Sequence, residues 1–300
     1  RLLSIKLMKK KMKTTVIGGS GFLGSHVADK LTETGHKVII YDLKKSKYLK
    51  KNQEMIIGDI LNTKLLEKAI SRSDIVYNFA AVADIDQSIS MPIKTAKINI
   101  LGELNVLELC KKYLVKRHVF ASTIYVYSLS GNFYRCSKQA AESFIEEYNK
   151  LHKLDYTILR FGSLYGPRSD ITNGIYRIIK SALKKKKIVY GGNKKAIREY
   201  IHVADAADSS VKILGSMYKN KIFILTGQHS KKVYDVMLMI ANILGLNKKF
   251  KFKNKSNSGH YIKTPYTYIP KIAKKFSQKV QIDLRKGLLQ LIKEIKKEKN

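Results

Sequence analysis

The chain has 300 residues, 44% hydrophobic and 27% charged, enough to bury one large core or two modest ones. That composition excludes fibrous and disordered classes. No apolar run approaches the roughly 20 residues that cross a bilayer, so no membrane partner and a cytoplasmic location are expected. The formal net charge is +35, yet the lysines are spread in short runs such as 184–187 and 248–255 with no interleaved aromatic platform. This argues against nucleic acid as a partner and for a solvated basic surface that would favour an anionic substrate.

Residues 1–13 read as a basic N-terminal extension without the apolar segment and cleavage site of a signal peptide. Thr14–Gly18 is a β-branched run ending in glycines, a buried strand. Ser20–Gly35 has helical spacing at Phe22, Leu23, Val27 and Leu31, with Gly35 as its C-cap. Lys37–Tyr41 is a second strand, ending at Asp42. Glu54–Ile57 is a third, followed by Gly58, Asp59 and a helix over Leu65–Ile70. Ile75–Ala80 is a fourth strand, Ile98–Tyr113 a helix, His118–Ala121 a fifth strand, Ser137–His152 a helix and Tyr156–Phe161 a sixth strand. Strands alternating with helices predict an α/β fold, a Rossmann doubly wound parallel sheet. Its continuous apolar strands suit a sheet covered on both faces.

After Gly162 the rhythm loosens, and a smaller C-terminal lobe is expected over the carboxyl edge of the sheet. The division is residues 14–165 for the Rossmann domain and 166–300 for the lobe, with Glu199–Val203 and Ile222–Leu225 expected to return to the main sheet. Val236–Leu246 reads as a buried helix, and Leu284–Lys299 as an amphipathic basic terminal helix. Cys110 and Cys136 form no CxxC and no metal-ligand spacing. With no His/Asp/Glu cluster either, no metal site is expected.

Gly18-Gly19-Ser20-Gly21-Phe22-Leu23-Gly24 is a GxxGxxG between a strand and a helix. Glycines there allow a tight turn and close approach of a pyrophosphate to the helix N-terminus. Asp42, 18 residues beyond Gly24, ends the second strand. A carboxylate there accepts hydrogen bonds from ribose hydroxyls and repels a 2′-phosphate, which favours NAD over NADP. Lys44 and Lys45 follow it and could soften that choice. Tyr134-Arg135-Cys136-Ser137-Lys138 is YxxxK, an i,i+4 pair on one helix face. The Lys138 ammonium is expected to depress the Tyr134 phenol so that it acts as general base toward a substrate hydroxyl.

Together with Gly58-Asp59-Ile60, Asn78–Ala83, Asn99 in INILGELNVLELC, FASTIYVY at 120–127, LRFGSLYGPR at 159–168 and REYIHVAD at 198–205, these blocks resemble the extended short-chain dehydrogenase/reductases of the NAD-dependent epimerase/dehydratase family. The resemblance runs from about Thr14 to the C-terminal helix. It implies that Asp59 and Ile60 border the adenine, that Phe79, Ala80, Ala81 and Ala83 pass along the middle of the cofactor, and that Asn99 supports this side. It implies that Thr123 is the hydroxyl that meets the reacting sugar oxygen, with Ser122 as its neighbour. Arg198 would meet the substrate diphosphate, with Arg168 adding positive charge. It further implies a homodimer built on the helices 98–113 and 137–152.

Relatives that dehydrate or decarboxylate sugars carry an acid just after the catalytic threonine or serine. Here Ile124 and Tyr125 follow Thr123, which leaves chemistry needing one base and one reversible redox step. The expectation is a nucleotide-sugar 4-epimerase of the UDP-glucose/galactose type. The alternatives are a keto-sugar-nucleotide reductase or dehydrogenase, and a catalytically weak NAD-binding or nucleic-acid-associated protein. Two departures lie on the substrate side. Only ten residues, 124–133, separate Thr123 from Tyr134, and Ser163 stands where many relatives have a substrate-contacting asparagine.

Overall fold

The computed structural model describes residues 11–191, 193–246 and 250–253. The expected terminal helix 284–299 and residues 1–10 of the extension lie outside them. The remaining extension joins the fold, because strand β1 starts at Lys13 (Lys13–Ile17).

The central sheet has seven parallel strands. They are β1, β2 (Lys37–Asp42), β3 (Gln53–Ile57), β4 (Ile75–Asn78), β5 (Arg117–Thr123), β6 (Tyr156–Phe161) and a late strand, Lys221–Leu225, that pairs parallel to β6. Their spatial order is β3-β2-β1-β4-β5-β6 and then the late strand. Adjacent strand residues point to opposite faces, so each β-branched run feeds two cores. Ile17, Ile39 and Phe120 pack on one face with Leu66, Leu107 and Ile145. Their neighbours Val16, Ile40 and Val119 pack on the other with Val27, Leu31 and Val211. The first face is covered by α2 (Thr63–Ile70), α5 (Gly102–Lys112) and α6 (Asn132–His152). The second is covered by α1 (Phe22–Glu33) and α8 (Val203–Lys212).

Three expectations change. Ile98–Tyr113 is not one regular helix. After α3 (Ile85–Ser90) and α4 (Pro92–Ala96), Lys97–Leu101 forms a π-helical turn that runs into α5. The wide turn sends Asn99 into the interior, where its side chain is fully hydrogen-bonded. Helix α6 begins at Asn132, so Tyr134 already lies in its first turn. The run 199–203 does not return to the main sheet. Its residues 199–202 lie in β9 (Ile197–His202), which pairs with β7 (Ser163–Tyr165) and with β11 (Ser230–Lys232) in a separate three-stranded sheet, and Val203 begins α8. Only Gly162 separates β6 from β7, and that residue is where the chain leaves the main sheet. The late strand, β10, does return.

The rest of the described lobe contains α7 (Gly174–Lys185), β8 (Ile188–Gly191) paired with β12 (Phe250–Lys253), and α9 (Val233–Ile243). Ala182, Ile188, Val233 and Met237 give it a small core of its own.

Candidate active site

A cleft of about 1060 Å³ runs over the carboxyl ends of the central strands. Its floor is the turn between β1 and α1. Gly18 has φ of +74°, and a Cβ there would stand 2.6 Å from Ala80 N. A Cβ on Gly24 would stand 2.2 Å from Gly18 O. The turn therefore exists only because both positions lack side chains. Gly21 is the N-cap of α1 and supplies no side-chain cap, so the first amides of α1 have no capping side chain. Gly18, Gly21, Phe22, Leu23 and Gly24 all line the cleft, together with Phe79, Ala81 and Ala83. A backbone cradle at a positive helix end fits a dinucleotide diphosphate.

The other cofactor-side residues sit around this cradle rather than in the cleft wall. The Asp42 carboxylate, at the end of β2, accepts hydrogen bonds from Ser20 N (3.0 Å) and Lys44 N (3.2 Å). It is therefore tied to the glycine turn while holding its place beside it. Asp59 accepts from Leu61 N at 2.9 Å, and Ile60 is buried against α5 at Gly102. Ala80 donates its N–H to Asn78 Oδ1 at 3.0 Å. Asn99 accepts from Val82 N (2.8 Å) and donates to Val82 O and to Ser137 Oγ (2.9 Å). It fastens the loop after β4 to the first turns of α6, which makes it a brace rather than a wall residue.

Thr123, Tyr134 and Lys138 converge on the cleft. Thr123 ends β5, caps the following turn through Tyr125 N (3.3 Å) and shares a hydrogen bond with the Tyr134 hydroxyl. One turn along α6, Lys138 is 2% exposed. Its ammonium donates to Ala121 O at 2.7 Å and lies 4.4 Å from the Phe120 ring centroid. This corrects the expected effect of Lys138 on Tyr134. Burial pushes the phenol up to about 12, opposed only by the Thr123 hydrogen bond. Burial also pulls Lys138 down to about 8, against the nearby carboxylates of Glu103 and Glu142. With its charge directed at a carbonyl and an aromatic face, Lys138 does not acidify the phenol in the cofactor-free site. Both groups are held toward their neutral forms.

Ser122 lines the cleft, but its hydroxyl donates to Glu142 Oε1 at 2.5 Å. Glu142 pairs with Arg160 at 2.5 Å, and Arg160 reaches the Tyr127 hydroxyl. Sequence reasoning missed Glu142, although Tyr134, Lys138 and Glu142 follow each other at i,i+4,i+8 on one helix face.

On the lobe side Ser163 and Arg198 line the cleft, and Arg198 also donates to Ile197 O at 2.9 Å. Arg168 does not. Its guanidinium pairs with Asp29 on α1 at 2.7 Å and stacks on Tyr48 at 4.3 Å. The expected contribution of Arg168 to substrate binding is thus corrected: an arginine committed to a carboxylate and an aromatic ring ties the start of the lobe to the Rossmann layer. Asp84 and Arg177, which also went unnoticed in the sequence, both line the cleft and pair at 3.2 Å. Nothing in their spacing, 93 residues apart, could have announced them.

Among the described residues no group of three or more His, Cys, Asp or Glu is placed to hold a metal ion, and no helix is long and apolar enough to cross a membrane. Cys110 is buried and Cys136 exposed, and both are free thiols.

Comparison with known proteins agrees with this geometry. The chain is 28% identical over 298 residues to the Methanocaldococcus jannaschii protein named "Putative UDP-glucose 4-epimerase", covering 92% of this chain and 96% of that one. It is 30% identical over 271 residues to a dTDP-D-glucose 4,6-dehydratase of Dictyostelium discoideum, covering 77% of this chain and 62% of that protein's length. Among solved structures it resembles the Thermotoga maritima UDP-glucose 4-epimerase determined with UDP-glucose. The TM-score is 0.78 at 28% identity, covering 86% and 90% of the two chains. The model of the NAD dependent epimerase/dehydratase family matches residues 14–225, and the chain is a member of that family of NAD-dependent enzymes.

Proposed function

We propose that this enzyme is a nucleotide-sugar 4-epimerase, with UDP-glucose and UDP-galactose as the first pair to test. The observation that carries the reading is a hydrogen-bonded Thr123–Tyr134 pair in the same cleft as the glycine cradle, followed by Ile124 and Tyr125 where a second proton-moving acid would be needed. One base and one hydroxyl suffice for chemistry at a single carbon. A dehydration or a decarboxylation needs more.

In this reading Gly18, Gly21, Phe22, Leu23 and Gly24 hold the diphosphate of NAD, Asp42 faces its adenosine ribose, and Asp59 and Ile60 border its adenine. NAD, when bound, supplies a reversible two-electron acceptor. Thr123 holds the sugar C4 oxygen. Tyr134 acts in its phenolate form: it takes the proton from that oxygen to become the phenol, and later returns that proton to the same oxygen. Lys138, whose ammonium donates to Ala121 O, would bind on the cofactor side. Arg198 and Ser163 bind the substrate from the lobe, Arg198 pairing with the diphosphate through a charge-assisted hydrogen bond.

The test is incubation with UDP-, GDP-, CDP- and dTDP-sugars and analysis of products by NMR. Inversion at C4 supports the reading. Net reduction of a keto-sugar nucleotide would replace it with the reductase reading; the short loop 124–133 and Ser163 are compatible with that, with a different sugar and with a different nucleotide.

A homodimer belongs to the same reading. Phe133, Phe144 and Leu151 fall on one stripe of α6 and are all exposed, as are Ile93 on α4 and Leu101. Light scattering at micromolar concentration should give twice the chain mass; a monomer would remove the dimer from the account.

A further inference from the structure

Behind the reacting pair lies a largely buried ion pair to which the proposed chemistry gives no part. Ser122 and Arg160 face each other across the β5–β6 ladder, so their side chains leave the sheet on the same side, toward α6. There Arg160 grips Glu142 through two nitrogens, Nε donating to Oε1 at 3.0 Å and Nη2 to Oε2 at 2.5 Å. The Ser122 hydroxyl donates to Oε1 of the same carboxylate at 2.5 Å. Glu142 is 6% exposed and Ser122 3%. The third nitrogen of Arg160, Nη1, donates to the Tyr127 hydroxyl, and the guanidinium lies 4.5 Å from that ring's centroid.

These contacts bracket Thr123. Ser122 precedes it, and Tyr127 ends the short turn Ile124–Tyr127 that follows it. The turn touches both reacting groups. Tyr125 N donates to Thr123 Oγ1 at 3.3 Å, and the Tyr125 ring meets the Tyr134 ring edge-on with 6.5 Å between centroids. Glu142 lies about two helical turns beyond Tyr134 on α6. One forked pair thus fastens the strand that carries Thr123, the turn after it and the helix that carries Tyr134. The neutral Thr123–Tyr134 hydrogen bond is a weak restraint by itself, whereas a bidentate, charge-assisted pair is strong and directional. Ser122 lines the cleft, yet its hydroxyl proton is already given to Glu142.

We propose that Glu142 and Arg160 are positioning residues for the proton-transferring pair: their fork sets the placement of Thr123 against Tyr134, and Ser122 serves the fork rather than the sugar. The proposal rests on the reading of Thr123 and Tyr134 as the reacting groups. Lysine cannot replace Arg160 in this role. An ammonium is a point charge without the planar fork that binds two carboxylate oxygens while lying against the Tyr127 ring.

The experiment is ¹³C NMR of the full chain labelled at tyrosine Cζ, with NAD bound, on wild type, Glu142→Gln and Arg160→Lys, beside steady-state kinetics. The Tyr127 and Tyr134 signals are assigned by their loss in Tyr127→Phe and Tyr134→Phe. Both test variants should displace the Tyr134 signal as well as that of Tyr127. Both should lower kcat about 10- to 100-fold, the effect of a reacting group misplaced by up to about 1 Å. KM for the nucleotide sugar should stay within about threefold, because Arg198 and Ser163 are untouched. Displacement of the Tyr127 signal alone would reduce the fork to a local brace and overturn the proposal. A kcat within about twofold of wild type would overturn it too, and so would an Arg160→Lys enzyme that matches wild type in both readouts. If Glu142→Gln does not fold, Ser122→Ala removes one hydroxyl and leaves the ion pair. It should displace the Tyr134 signal and lower kcat with KM unchanged; a raised KM with that signal unmoved would return Ser122 to the sugar and overturn the proposal. The NMR signal needs no sugar, so a wild type that inverts none would end the epimerase reading while the Tyr134 signal still decides this one.

Discussion

The two walls of the cleft are built by different means. The cofactor wall is backbone: Gly18 and Gly24 sit where a Cβ would collide with Ala80 N and Gly18 O, and the first amides of α1 need no side chain to present them. The opposite wall is side chains, Ser163, Arg177, Arg198 and their neighbours, carried on short strands and on α7. A backbone cradle tolerates almost no change and serves one kind of ligand. A side-chain wall can be rewritten residue by residue, which is how one fold comes to serve different substrates.

Substitutions should separate the walls. Tyr134→Phe, where the two meet, should have the largest effect: turnover down by about 10³- to 10⁴-fold with NAD still bound, because only the proton-transferring oxygen is lost. Steady-state kinetics beside an NADH titration would read both. Gly24→Ala should act on the cofactor wall alone. Strain of about 1–3 kcal/mol at the turn lowers NADH affinity about 10- to 100-fold; unchanged affinity would mean the turn is not the cradle.

The two arginines sharpen the contrast. Arg198→Ala should raise KM for the nucleotide sugar about 10- to 100-fold, the loss of one charge-assisted hydrogen bond, and leave NADH affinity as it was. Arg168→Ala should leave KM unchanged and cost about 1 kcal/mol of stability in urea denaturation, since its Asp29 and Tyr48 contacts are partly solvated. A raised KM for Arg168→Ala would return that residue to the substrate.

A smaller effect runs through stability. Burial lowers Lys138 from 10.5 to about 8, so the folded state bears a cost for its charge that is full below pH 8 and gone above 10.5. Lys138→Met should therefore raise the unfolding free energy of the cofactor-free protein by about 1–3 kcal/mol at pH 7 while abolishing turnover. The gain should shrink toward pH 10.5. No gain at pH 7 would show that the Ala121 and Phe120 contacts already compensate the ammonium.

The same contrast explains what the sequence made legible. The strands and the glycine turn were readable because β-branched runs and glycine spacing encode backbone conformation directly. Tyr134 and Lys138 were readable because one helical turn brings i and i+4 together. Arg168 was misplaced because its partner Asp29 lies 139 residues away on α1, a distance no local pattern spans. Asp84 with Arg177 was invisible for the same reason. The π-helical turn at 97–101 escaped because its cause, the bonds of Asn99 to Val82 and Ser137, is tertiary. The raised phenol of Tyr134 also lay beyond the pattern, since spacing fixes which residues are near one another but not where the Lys138 ammonium points.

The most direct test of the central claim, that one phenol acting at one sugar carbon accounts for the chemistry, is to follow UDP-glucose with the wild-type enzyme in D₂O by ¹H NMR. The account predicts UDP-galactose that keeps its original hydrogen at C4 and takes up no deuterium at any carbon. Deuterium at C5, loss of water from the sugar, or no inversion at C4 would contradict it.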